Sequence, residues 1–175
     1  MKRILIVLLT VFLFAQPGYA KSIKKNLASE VLAEANKFTN LMLNEDVERY
    51  VEKMHPKAVA MLGGKKKLLY ISRKNSYLMK KKQFRILKYD VYEPEKIYKS
   101  REEVFTILKT HIVIDSPKLE ISKKTYIIAA RHKKDDEWFF IDGAGINNFE
   151  GLGKIFSEFP KDVELPKNSR QVIHK

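Results

Sequence analysis

The hydrophobic period of this chain changes once, near Gln83, and that change constrains the fold more than any motif does. Upstream, apolar residues recur at helical spacing; downstream, aromatic and β-branched residues gather in short runs between turn signals. Leu27, Val31, Ala35, Phe38 and Met42 form one stripe and predict a long first helix. Asn44 reads as an N-cap with Glu45 and Asp46 in the first turn, so a short second helix should carry Val47, Tyr50 and Val51. His55-Pro56 should end it, because the residue before proline avoids the α region. Gly63-Gly64 marks a turn, after which Leu68, Ile71, Asn75, Leu78 and Met79 predict a third helix.

Beyond Gln83 the expected strands are Phe84 to Tyr92, Val104 to Ile114, Thr125 to Arg131 and Glu137 to Asp142. In the second of these, Val104, Leu108, Ile112 and Ile114 share one face, while Phe105, Ile107, Lys109, His111 and Val113 take the other. Asp115-Ser116-Pro117 and Lys133 to Asp136 are short connections, which suit an antiparallel meander and not parallel crossovers. Helices first and strands afterwards give an α+β class, with the helices packed on a curved antiparallel sheet. One more short helix is expected around Leu152 to Phe159, stopped by Pro160.

Residues 1–20 are set aside as a secretory signal. Lys2 and Arg3 give a basic start, Ile4 to Ala15 an apolar run too short to span a membrane, and Gln16 to Ala20 a small-residue cleavage region. The expected organisation is a signal over 1–20, one domain over 21–146 and a C-terminal extension over 147–175, exported to the periplasm or outside the cell. The 175 residues contain no cysteine, which excludes a disulfide framework, thiolate zinc sites and a thiol nucleophile. The four histidines show no metal-ligand spacing, and no P-loop or G-x-S-x-G is present. Gly143-Ala144-Gly145 starts like a dinucleotide loop, but Asn148 stands where the third glycine belongs and no βαβ unit surrounds it. No cofactor is expected.

Asp46-Val47-Glu48-Arg49-Tyr50 leads to Met54-His55-Pro56, a Gly-Gly turn, a third helix and a meander closing on Trp138-Phe139-Phe140-Ile141-Asp142-Gly143. This order resembles the cystatin-like cone of the nuclear transport factor two superfamily, over about Asn26 to Gly143. The resemblance implies a sheet wrapped around helices, a conical pocket, and a homodimer through the outer sheet face. That superfamily includes ketosteroid isomerase and scytalone dehydratase as well as binding proteins, so the fold by itself implies no reaction.

Five side chains are candidates for a pocket: Tyr50, His55, His111, Trp138 and Asp142. Asp142 shares a strand face with Trp138 and Phe140, so it either sits among aromatic rings or bonds the turn that follows it. His111 lies mid-strand and suits proton transfer or a structural hydrogen bond. His55 fits a helix end, Tyr50 fits packing one turn from Val47 and Met54, and Trp138 fits a core. An isomerase or dehydratase would need at least two of Tyr50, His55, His111 and Asp142 around one open volume. The favoured expectation is a non-catalytic module binding a small apolar or anionic ligand.

Net charge is +13, spread along the chain. Lys65, Lys66 and Lys67 and Lys80, Lys81 and Lys82 bracket the third helix, and they form a single patch if Arg73 and Lys74 share the face between them. Such a surface attracts polyanions or simply keeps the protein soluble. The export signal argues against nucleic acid and for an anionic envelope polymer.

Overall fold

The computed structural model describes residues 18–143, 149–156, 159 and 163–175. Residues 1–17, the bulk of the expected export signal, and 144–148 of the glycine-containing loop lie outside the described residues. The helices are α1 (Gly18–Leu43), α2 (Val47–Glu52), α3 (Pro56–Met61), α4 (Gly64–Lys81) and α5 (Phe149–Ile155). The strands are β1 (Arg85–Val91), β2 (Ile97–Lys99), β3 (Glu103–Asp115), β4 (Leu119–His132), β5 (Phe139–Asp142) and β6 (Ser169–His174). The class is α+β, with four helices preceding an open, wholly antiparallel sheet.

β3 and β4 form the spine of that sheet, paired without interruption from Glu103↔His132 to Asp115↔Glu120. β1 and β2 divide the free edge of β3 between them, and β5 and β6 divide the free edge of β4. The turn between the spine strands is held by Ser116, whose backbone N–H and hydroxyl both donate to the carbonyl of Leu119, at 2.9 and 3.0 Å.

Alternation along β3 and β4 feeds two cores, one on each face of the sheet. On the helical face, Val31, Ala35 and Phe38 of α1 pack with Val104, Leu108, Ile127, Ala129 and Phe140. Phe38 is the centre of a stack, 4.7 Å from the ring of Tyr50 and 4.6 Å from that of Phe140. On the outer face, Phe105, Ile128 and Ala130 are covered by Leu152, Ile155 and Phe156 from α5 and the residue after it.

Several helix ends differ from the sequence reading. α2 is capped by Asp46, whose carboxylate accepts from the Arg49 N–H at 3.2 Å, and not by Asn44. Asn44 instead ends α1, which closes in a Schellman turn: Glu45 N–H donates to Met42 at 3.1 Å and Asp46 N–H to Leu41 at 2.9 Å. Glu45 takes the left-handed conformation at φ 57°. α4 ends in the same way, with Gln83 at φ 57° and Phe84 N–H donating to Met79 at 2.9 Å.

Pro56 does not stop a helix but starts one. It occupies the first turn of α3, where its missing N–H is no loss, with His55 as the N-cap residue. The expected tail helix over Leu152 to Phe159 is α5, displaced toward the N-terminus at Phe149–Ile155. β2 and β6 were not expected; β6 is held by pairing to β4, since every one of its residues is exposed, whereas β2 pairs with β3 and also packs Ile97 and Tyr98 on the two cores.

Candidate functional site

Between the helices and one end of the sheet lies a cavity of about 1310 Å³. Its walls are the C-terminal end of α1, the α2–α3 segment, the inner face of α4 and the start of β1, and it extends past the end of β5 to α5. The lining is mostly apolar: Leu41, Val47, Leu68, Phe84, Ile86 and Ile141 contribute to it. Met42, Met54, Met61 and Met79 all face it, and the sequence has five methionines, the fifth being Met1. Methionine is unbranched and polarisable, so a wall built from it adapts to ligands of different outline.

Two of the five candidate side chains, Tyr50 and Asp142, reach this cavity. Burial pushes the Tyr50 phenol far above its ordinary range, and the neighbouring Asp142 charge pushes it further. Tyr89 on β1 and Tyr126 on β4 are raised by the same two causes in the same order. The Asp142 charge thus reaches three phenols, of which Tyr50 lines the cavity and Tyr126 belongs to the outer core. Gly143 is required beside Asp142, because a Cβ there would lie 2.4 Å from the Tyr126 ring. Tyr89 was not among the sequence candidates, since its strand alternates too loosely to assign its face.

The other three candidates stand elsewhere. His55 is buried, with its N–H donating to the Phe140 carbonyl at 2.9 Å and its ring 5.3 Å from that of Phe156. Its Nδ1 has no hydrogen-bond partner, and burial, aided by Lys57, lowers its pKa to about 4. The sequence expectation of a charged histidine at a helix C-terminus is therefore corrected to a neutral one at the entry to α3. His111 lies on the outer face of the sheet, where Nε2 and the Ser122 hydroxyl are 2.9 Å apart. Trp138 is core, its indole N–H donating to Glu30 at 2.8 Å and its ring covered by Arg131 at 5.0 Å.

The cavity mouth carries cations, but each has an acidic partner. Lys80 pairs with Glu45, and both Arg85 and Lys175 pair with Asp115. The two left-handed residues, Glu45 and Gln83, also line the cavity, so both Schellman turns shape it. Among the described residues, no three His, Asp or Glu side chains cluster as a metal site would require, and no helix is long and apolar enough to cross a membrane.

The basic residues around α4 fall on two sides of it. Lys65, Arg73 and Lys80 turn toward α2 and its leading turn, where Glu52, Glu48 and Glu45 pair with them in antiparallel order. Lys66, Lys67, Lys74, Lys81 and Lys82 are exposed and have no acidic partner among the described residues. Arg73 pairs with Glu48, yet it lines one shallow groove together with Lys66, Tyr70, Lys74 and Tyr77. No known protein family, curated protein or solved structure matches the chain.

Proposed function

We propose that this is an exported binding protein whose cavity takes an apolar molecule bearing a hydroxyl or carbonyl group. The observation that carries the reading is the convergence of Met42, Met54, Met61 and Met79 on one volume that also contains Tyr50 and Asp142. The thioethers supply an adaptable apolar surface, and the Tyr50 phenol and the Asp142 carboxylate supply a donor and an acceptor for one polar group. An anionic ligand fits less well, because Asp142 would repel it and the cations at the mouth are already paired. The order of elements, helices before an open antiparallel sheet with a cavity between them, supports a distant kinship with the nuclear transport factor two-like superfamily.

Binding of a fluorescent naphthylamine probe and its displacement by sterols and long-chain alcohols tests the reading. Met61→Glu and Met79→Glu place charge in the wall at positions that are not deeply buried, so the fold should survive. Each should weaken probe binding at least tenfold with an unchanged circular dichroism spectrum. Undiminished binding in both variants would place the probe elsewhere and end the proposal.

A second reading, proton transfer by Asp142 with a phenol as partner, is favoured by the same pairing of Tyr50 and Asp142. His55 and His111 take no part in it. Incubating a bound ketone with the protein in D2O separates the two readings: binding alone returns the ketone unlabelled, whereas proton transfer exchanges its α-hydrogens, and Asp142→Asn abolishes that exchange.

A further inference from the structure

α4 is an 18-residue helix whose sequence, GKKKLLYISRKNSYLMKK, contains no acidic residue. Its inner side faces the cavity and the glutamates of the α2 region, which neutralise Lys65, Arg73 and Lys80. On the side away from the cavity, which Arg73 borders, Lys66, Lys67, Tyr70, Lys74, Tyr77 and Lys81 fall within an arc of about 100° at helical spacing. All six are exposed, and the four lysines have no acidic partner among the described residues. Tyr70 and Tyr77 are 66% and 63% exposed, far more than packing would leave them.

The two phenols stand two turns apart, about 10 Å along the helix, and a shallow groove between them is lined also by Lys66, Leu69, Lys74, Leu78 and the Glu48-paired Arg73. This side of α4 thus presents a straight line of about 22 Å on which cations and amphipathic rings alternate. Tyrosine is favoured at the level of lipid headgroups, where the ring is half apolar and the hydroxyl is wet, and lysine stems extend to phosphate from the same depth. Protein partners with acidic surfaces would match the charge but would leave the exposed rings without an apolar counterpart.

We propose that the outward side of α4 docks this protein on the surface of an anionic bilayer, with Tyr70 and Tyr77 at headgroup depth and the four lysines on lipid phosphates. The docking does not depend on what fills the cavity, so the two proposals stand or fall separately.

Co-sedimentation with vesicles containing phosphatidylglycerol in phosphatidylcholine tests it, using the full chain beginning at Lys21. Binding should fall steeply as salt rises and be absent with phosphatidylcholine alone. Replacing Lys66, Lys67, Lys74 and Lys81 together by Gln should weaken binding by on the order of a hundredfold or more. The matched variant, with Lys99, Lys118, Lys124 and Lys134 replaced by Gln, has the same net charge and should lose less than tenfold. Equal losses in the two variants would overturn the proposal in favour of diffuse charge attraction. Tyr70→Trp should show a blue-shifted emission on vesicle binding, against the buried Trp138 background. Binding without that shift, with equal affinity for soluble polyphosphate, would overturn it in favour of a polyanion in solution.

Discussion

α1 and α4 both lie on the helical side of the sheet, yet α1 buries Val31 and Ala35 completely and Phe38 to 2% exposure, whereas α4 buries Leu68 and little else. The stack of Tyr50, Phe38 and Phe140 fills the space under α1, and the cavity fills the space under α4. α4 is instead attached along its side by three ion pairs, between groups more than 40% exposed. Surface pairs of this kind contribute little each, so α4 is a wall with little buried attachment beyond Leu68. The difference separates a half that carries stability from a half that carries an opening.

Phe38→Ala strikes the packed half at its centre and should cost about 3–5 kcal/mol in urea unfolding. Ile71→Ala, on the cavity side of α4, should cost less than about 1 kcal/mol, since Ile71 is already 38% exposed. Equal losses would erase the distinction between the halves.

Acid sensitivity should arise between these two halves, at His55, which is buried where the α2–α3 segment meets Phe140 and Phe156. His55 has a folded pKa of about 4 against an ordinary 6.5. Between those values the unfolded chain takes up a proton that the folded chain refuses, so stability falls as pH falls, by up to about 1.4 kcal/mol per unit. Above pH 6.5 the effect is absent, and below pH 4 it is complete. Urea midpoints measured from pH 7 to pH 4 should show that slope, and His55→Leu should flatten it.

Smaller effects sharpen the account of the open half. Gln83→Gly should stabilise by about 0.5–1 kcal/mol, because glycine adopts the left-handed turn after α4 without a Cβ penalty. Glu48→Gln removes the middle ion pair of α4 and should leave the thermal midpoint unchanged within error. A clear loss there would mean that the ladder holds α4 in place.

What the sequence made legible follows the same division. The stripe Val31, Ala35, Phe38 and the alternation Val104, Leu108, Ile112 are periodic because they are buried, and periodicity is what a single sequence displays. α3 was hidden because Pro56 in isolation reads as a stop and only its neighbours make it a first-turn residue. β6 was hidden because strand pairing with β4, and not burial, holds it, and hydrogen-bonding register leaves no hydrophobic pattern. Tyr50 and Asp142 were named from their types, but their meeting depends on how α2 approaches β5, which is a tertiary fact. The methionines carry no period at 42, 54, 61 and 79; the available signal was that all four lie in the helical half.

The arrangement of every strand around one hairpin also bears on how the chain reaches this fold. β1 and β2 need β3 as a template, and β5 and β6 need β4, while β3 and β4 are joined by a short local turn at Ser116. Closing that loop is the least demanding long pairing in the molecule. The spine hairpin is the natural nucleus, and substitutions along it, at Leu108 or Ile127, should slow refolding. Substitutions in β6 or α4 should leave the refolding rate alone and speed unfolding. The cavity wall would then be the last part of the chain to settle and the first to come away.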